Sequence, residues 1–346
     1  MKQDKIQYIE YLRGISCIAV ITIHVLMALP NNYSIEELGI GPYALMNSAH
    51  MLVNWAVPVF FMISGMLLIP KYVTYKKVVI YVTRMVLVLT TFGVGFSFIE
   101  LVFNGFPISV LSVGRSILLT LQGKTWNHMW YVYALIGIYL VLIPLSRGLQ
   151  SMSVAEIRCF TATLVIGHCF ISSINASTSL SLETYMQFTN QIMWFVLGYY
   201  VTVEPLFTKI RRPLSYYLVF FVGGGIVKFT LMWFWIHRFG QTMPFLTSLN
   251  LLDLVQAVSL FLLVKAYSET EKHNKINSVV ISISRCSFAI YVIHPVYGNF
   301  FYKVLGFTPL AMPLLIGIPV VTVSLFLLSW GTAVILVRLP ITSKIL

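Results

Sequence analysis

The stretch Glu10-Tyr-Leu-Arg13-Gly-Ile-Ser-Cys-Ile-Ala-Val-Ile-Thr-Ile-His24 places two cation-forming side chains inside an apolar segment. Arg13 and His24 are eleven positions apart, and eleven helical steps of about 100° return to within about 20° of the start. We therefore predict a helix with both side chains on one face, about 16 Å apart along its axis. A charged side chain inside a membrane is costly and normally has a partner or a function. Glu10, three residues before Arg13, is the predicted partner.

The composition of the whole chain agrees with a membrane location for this segment. The 346 residues are 58% hydrophobic and 10% charged, with a mean hydropathy of +0.85, whereas soluble domains carry about 25% charged residues. We predict an all-α, polytopic membrane protein with about ten transmembrane helices. The predicted spans are 9–29, 48–69, 78–102, 128–146, 154–173, 187–204, 214–236, 248–266, 278–299 and 310–337.

Charge placement predicts the orientation of these spans, because short cytoplasmic loops collect lysine and arginine. With the N-terminus inside, seventeen of the 23 lysines and arginines fall on the inner side, four on the outer side and two within the membrane. Both termini are therefore predicted to be cytoplasmic. The formal charge of +12 is then mostly a topology signal and an attraction to lipid headgroups, so a nucleic-acid partner is not expected.

The sequence predicts one transmembrane domain over residues 1–346, with no appended soluble domain. The four cysteines form no pattern of metal ligands, and no metal site is expected. The sequence is compatible with an oligomer and does not define the oligomeric state. The first span is longer than the apolar part of a signal peptide, and we expect it to be retained.

His24 is the first candidate for chemistry, because a neutral imidazole can take a proton from a hydroxyl near pH 7. The alternative is a histidine that only packs between helices. Arg13 could bind phosphate entering from the cytoplasm, or could be a helix-end arginine that extends toward water. Ser64 offers a hydroxyl beside Gly65, where a close helix contact is predicted. This serine is more often a packing residue than a ligand.

Histidines and aromatic residues mark the predicted outer side. His128 precedes Trp130 and Tyr131, and His294 ends another span, so that three histidines at similar depth would line a polar chamber. Aromatic residues are common at membrane interfaces without any function, and His128 is expected to be solvated there. On the inner side, a cluster of basic residues suits the phosphates of a nucleotide-based donor: Lys76, Lys77 and Arg84. The usual excess of lysine and arginine on the cytoplasmic side of membrane proteins would also explain this cluster. Within the membrane, Lys228 and Asp253 could pair across helices.

At these residues the chain resembles the integral-membrane acyltransferase-three family, whose signature is an arginine and a histidine separated by ten residues in the first span. The same resemblance extends to three further segments: Pro58-Val-Phe-Phe-Met-Ile-Ser64-Gly65, His128-Met-Trp130-Tyr131 and Tyr291-Val-Ile-His294-Pro295.

The resemblance implies transfer of an acyl group, usually acetyl, from cytoplasmic acyl-CoA to a hydroxyl of a cell-surface polysaccharide or its lipid-linked precursor. It implies the bacterial cytoplasmic membrane as the location and His24 as the catalytic base. Arg13 would be its paired residue near the donor, and Arg84 would hold CoA phosphate. Glu10 stands where the family commonly has aspartate. The rival interpretation is a transporter or flippase for a glycan, in which the charged residues form a substrate path.

Overall fold

The fold is described from a computed structural model, over residues 4–178, 182–208, 212–247, 251–270, 277–340 and 342–346. These residues form helices and connecting turns, with no strand in any of the ranges. In chain order the α-helices are α1 (Asp4–Met27), α2 (Ile35–Leu38), α3 (Ile40–His50), α4 (Ala56–Leu68), α5 (Tyr75–Val88), α6 (Val94–Phe103), α7 (Val110–Leu121), α8 (Trp130–Ser151), α9 (Val154–Ser177), α10 (Leu182–Val203), α11 (Pro205–Thr208), α12 (Leu214–Phe239), α13 (Pro244–Thr247), α14 (Leu251–Thr270), α15 (Ser278–Asn299) and α16 (Leu314–Leu336).

Eight helical segments in the described part are long and apolar enough to cross a membrane. They are Gln7–Met27, Tyr75–Phe103, Asn127–Ser151, Val154–Ile174, Leu214–Phe239, Pro244–Thr270, Ser278–Val304 and Leu314–Leu336. Each coincides with one of the ten predicted spans. Of the other two, the span predicted at 187–204 coincides with α10, and the one at 48–69 is not a continuous helix. The protein is thus an all-helical, multi-pass membrane protein.

The second predicted span is broken between α3 and α4. Residues 51–55 form turns, in which the amides of Met51, Leu52 and Val53 donate to carbonyls three residues earlier. Helix α4 then begins at Ala56, and Pro58 lies in its first turn, where the missing N–H of proline costs little. The apolar run predicted as one span at 48–69, with a bend permitted by Pro58, thus contains the end of one helix and the whole of a second.

The chain divides into two compact units. The first contains residues 1–67 and 153–334, and the second contains residues 68–152 and 335–346. In the second unit, α7 lies in the connection between the spans predicted at 78–102 and 128–146. Its buried side chains are polar (Ser112, Ser116 and Thr120), while Val110 and Leu111 are 90% and 83% exposed. This inverted pattern is typical of a helix that faces lipid.

Helices α1 and α15 run parallel within the first unit. A Cβ on Gly14 would lie 3.8 Å from Ile283, and the Cys17 thiol lies 3.9 Å from the carbonyl of Ser287. In these contacts the residue number in α15 exceeds that in α1 by 269 or 270. The contact between His24 and His294 has the same difference of 270. This register fixes which side chains of the two helices meet.

Helices α4 and α10 of the same unit touch through their backbones. A Cβ built on Gly65 would lie 1.7 Å from the carbonyl oxygen of Phe195, and one on Gly198 would lie 2.0 Å from that of Met62. Any side chain at these two positions would collide with backbone. The close contact predicted at Gly65 is therefore confirmed, and its partner is α10.

Candidate active site

His24 lies in the last turn of α1, on the side that faces the protein interior. Ile15 and Ile18 mark the outward side of this helix, at 41% and 40% exposure. Arg13 and His24 are both partly buried and lie on roughly the opposite side of the helix. The predicted shared face of Arg13 and His24 is thus present, and it is directed away from the exposed stripe.

The hydrogen bond of His24 determines which ring nitrogen can act as a base. Its Nδ1 lies 2.8 Å from the carbonyl oxygen of Val20, one turn earlier. A carbonyl oxygen only accepts, so this contact places a hydrogen on Nδ1. In the neutral ring Nε2 then carries the lone pair. An imidazole held this way can accept a proton at Nε2 without reorienting.

His294 is the nearest described imidazole to His24. The two ring centroids are 4.6 Å apart and the planes meet at 70°, an edge-to-face arrangement. His294 is 1% exposed, and its Nδ1 lies 2.7 Å from the carbonyl oxygen of Tyr291. The two histidines are therefore held in the same way, each by a carbonyl of its own helix. The predicted common depth of His24 and His294 is confirmed.

Glu10 and Arg13 do not form the predicted pair. No ion pair in the described ranges includes either residue, and Arg13 has no hydrogen bond to any residue there. One carboxylate oxygen of Glu10 is buried without a hydrogen-bond partner among the same residues. The spacing of three positions allowed the contact, but the side chains of α1 do not make it.

The ion pair inside the membrane is instead that of Lys228 and Asp253, as the sequence suggested. The Lys228 Nζ lies 2.5 Å from the Asp253 carboxylate, and both side chains are fully buried. Asn54, in the turn between α3 and α4, donates to the same carboxylate oxygen at 3.3 Å. Three segments of the first unit thus meet at one carboxylate: α12, α14 and the helix break.

His50, the last residue of α3, adds a third histidine to this unit. It lies within electrostatic range of both Lys228 and His24, since α3 packs against α1 and α12. Sequence reasoning did not select His50, because nothing in the apolar run shows that the helix stops there. The polar residues His50 and Asn54, on either side of the first turns, are the local feature of the sequence that accompanies the end of the helix.

Ser64 donates its hydroxyl to the carbonyl of Phe60, one turn earlier in α4. This bond satisfies the hydroxyl within its own helix. Ser64 directly precedes Gly65, the residue that contacts the backbone of α10. The geometry of Ser64 in the described structure is therefore that of a packing residue beside a tight helix crossing.

The remaining predicted residues belong to the second unit, on two separate parts of it. His128 is 4% exposed, so the prediction of a solvated ring was wrong. Its ring centroid lies 5.6 Å from that of Phe96, which stacks on Trp126 at 4.4 Å. Trp130 is 41% exposed and meets the edge of Tyr131 at 6.2 Å. Packing against Phe96 shields His128 from water.

Arg84 makes contacts that the sequence did not predict. Its Nε and Nη2 donate to the carbonyls of Ile345 and Leu346, at 3.0 and 2.5 Å. Lys76 and Lys77 are exposed in the first turn of α5, and Arg84 lies about two turns further along the same helix. A phosphate at Arg84 would have to share the guanidinium with these carbonyls.

The chemistry available in the first unit is that of imidazoles and one fully buried ion pair, Lys228–Asp253. Across the described ranges no group of three histidine, cysteine or acidic side chains is arranged to hold a metal ion. A fixed neutral imidazole beside a second one suits transfer of a proton from a hydroxyl.

Comparisons with known proteins point to one family. A family model described as an acyltransferase domain matches residues 6–335, nearly the entire chain. No curated protein matches the chain, and no solved structure matches it.

Proposed function

Because the chain belongs to the acyltransferase family whose domain spans residues 6–335, we propose that it is a membrane O-acyltransferase that uses cytoplasmic acyl-CoA. The acyl group is most simply acetyl, and the acceptor is a hydroxyl of a cell-surface polysaccharide or its lipid-linked precursor. The protein would act in the bacterial cytoplasmic membrane. The family membership supports acyl transfer, whereas donor and acceptor are part of the proposal.

The observation that carries this proposal is the fixed orientation of His24. Its Nδ1 donates to the Val20 carbonyl, which leaves Nε2 as the basic atom on the interior side of α1. Nε2 takes the proton of the acceptor hydroxyl while the hydroxyl oxygen attacks the thioester carbonyl. The C–S bond then breaks, and the CoA thiolate takes the proton back from His24. No net proton is gained or lost.

The donor would be held by cationic side chains. Arg13 forms no ion pair within the described ranges, and its guanidinium suits a phosphate or the thioester arm. Within the second unit, Lys76 and Lys77 are exposed and Arg84 keeps further guanidinium N–H donors, so that each of them suits a phosphate. Glu10 would orient the donor end of α1, and Ser64 would contact the pantetheine arm. Each of these roles is a proposal.

The acceptor would approach from the opposite side. His294 lies against His24 and would contact the sugar whose hydroxyl reacts. Within the second unit, Trp130 is 41% exposed and, with Tyr131, supplies aromatic surface that suits the apolar face of a sugar ring, whereas His128 is buried against Phe96. A surface glycan of the type of enterobacterial common antigen is the acceptor to test first, because the motif residues resemble those of its O-acetyltransferase.

Replacement of His24 tests the proposal directly. Membrane vesicles with wild type or His24→Ala receive labelled acetyl-CoA and a surface-polysaccharide extract of the host cells. We expect the rate of acetyl transfer to fall by about 100-fold or more, the usual contribution of a general base. His237→Ala is the matched control, because His237 is exposed and bonds only to its own helix at Trp233. A normal rate in well-folded His24→Ala would disprove the assignment.

The second candidate function is a glycan flippase, and the buried Lys228–Asp253 pair favours it, since such pairs often mark substrate paths. A flippase has no need of acyl-CoA. Binding or slow hydrolysis of acetyl-CoA by the purified protein supports the acyltransferase, and its absence together with movement of lipid-linked saccharide supports the flippase.

A further inference from the structure

His50 is a polar side chain of the first unit that has no role in the proposed reaction so far. It ends α3 at the break in the second predicted span and is partly buried. Within the described ranges its ring forms no hydrogen bond. A polar ring inside a membrane protein normally has a partner, because an unsatisfied donor or acceptor away from water is costly. The ring of His50 is only partly buried, so a ligand or water can reach it and supply that partner.

The Lys228–Asp253 pair fixes the segment that carries His50. Asn54, four residues after His50, donates to the Asp253 carboxylate at 3.3 Å. Leu52 packs against α12, where a Cβ on Gly225 would lie 3.2 Å from its side chain. Trp55 meets the ring of Phe221 at 5.6 Å. The turns that follow His50 are thus held against α12 and α14, which fixes the end of α3 that carries the imidazole.

Helix α3, which ends at His50, packs against α1, the helix of His24, and against α12, the helix of Lys228. His50 lies within electrostatic range of both His24 and Lys228. The charged and titratable groups near it are therefore His24 and the Lys228 end of the buried ion pair. A molecule that brings a hydroxyl to His24 would meet His50 as the adjacent polar group.

We propose that His50 is an acceptor-binding residue, which hydrogen-bonds a hydroxyl of the glycan acceptor beside His24. An imidazole can both donate and accept, so it suits neighbouring hydroxyls of a sugar. His50 forms and breaks no covalent bond in this role. This inference rests on the proposed acyltransferase function and adds a residue that selects the acceptor rather than the donor.

A kinetic experiment separates acceptor binding from a structural role. Vesicles with wild type, His50→Ala, His50→Gln or the control His237→Ala are assayed at saturating labelled acetyl-CoA while the host polysaccharide extract is varied. Acetyl-CoA is then varied at fixed extract. For His50→Ala we expect the KM for the extract to rise about tenfold, the effect of one lost hydrogen bond. The KM for acetyl-CoA and the melting temperature should stay at the wild-type values.

Partial rescue by glutamine is the second expected result, since its amide also donates and accepts. An unchanged KM for the extract in His50→Ala, an equal rise for both substrates, or no rescue by glutamine would each overturn the inference. Wild-type vesicles that transfer no acetyl group would overturn the proposed function and this inference with it. Active wild type with an unaltered His50→Ala overturns only the inference.

Discussion

At the level of single residues, the site depends on hydrogen bonds within helices rather than on a carboxylate partner. His24 and His294 are each oriented by a carbonyl of the preceding turn. In water such a bond would be weak, but in an apolar interior the ring has few competing partners. A backbone carbonyl is present at every helical position, so this orientation needs no second specialised residue.

The Lys228–Asp253 pair leads to a prediction about stability. Lys228→Met leaves a buried carboxylate without its counter-ion, which destabilises proteins by about 3–5 kcal/mol. The double variant Lys228→Met/Asp253→Leu removes both charges and should recover most of that loss. Thermal unfolding of the purified variants in detergent measures both effects. A double variant that is no more stable than Lys228→Met would show that the pair is not the source of the loss.

Some site residues could be predicted from the sequence because they depend on helix geometry alone. The spacing of eleven positions places Arg13 and His24 on one face of a helix. The similar predicted depth of Lys228 and Asp253 in the membrane allowed the ion pair that the structure contains. Glu10 failed as a partner of Arg13 because spacing permits a contact without choosing the rotamers that make it. His50 was missed because its importance comes from tertiary neighbours.

At the level of elements, α4 and α10 cross so closely that a side chain at Gly65 would overlap the backbone of α10. We predict that Gly65→Ala lowers the melting temperature and the yield of folded protein, because the new methyl group would lie 1.7 Å from the carbonyl oxygen of Phe195. The two helices must separate to admit it. Gly148→Ala on α8 is the control, since no atom lies within 4 Å of the added methyl. Equal stability of the two variants would contradict the close contact.

The second predicted span shows that hydropathy does not locate a break within an apolar run. Residues 48–69 form one apolar run, and Pro58 was the residue expected to bend it. The turns fall before the proline, at 51–55, and Asn54 reaches Asp253 from there. Sequence pattern cannot place such a break, because the bond that holds it connects residues 199 positions apart.

At the scale of the whole molecule, the orientation in the membrane is open to direct test. We predict that both termini are cytoplasmic, because lysine and arginine concentrate on that side of the predicted spans. In a cysteine-free background, Asn32→Cys should react with a membrane-impermeant maleimide in intact cells, whereas Lys76→Cys should react only after lysis. Both positions are exposed, so access to the reagent depends on the side of the membrane. Reversed labelling would invert the topology and with it the direction of acyl transfer.

Membrane class and helical architecture followed from composition alone, since only helices and closed barrels satisfy their backbone in lipid. The division into two compact units did not follow, because no change of composition marks residues 67 or 153. The second unit includes α7, an apolar helix in the connection between two predicted spans. Its 12 residues are too few to span a membrane, so a search for runs of about 20 apolar residues passes over it.

The parallel register of α1 and α15 has a consequence for how this pair of helices can evolve. Inserting or deleting one residue between Cys17 and His24 would turn the imidazole by about 100° and shift it by about 1.5 Å, away from His294. A compensating change would be needed at the equivalent place in α15. The number of residues between Cys17 and His24, and between Ser287 and His294, is therefore constrained as strongly as the two histidines themselves. This holds even where the residues in between only fill space.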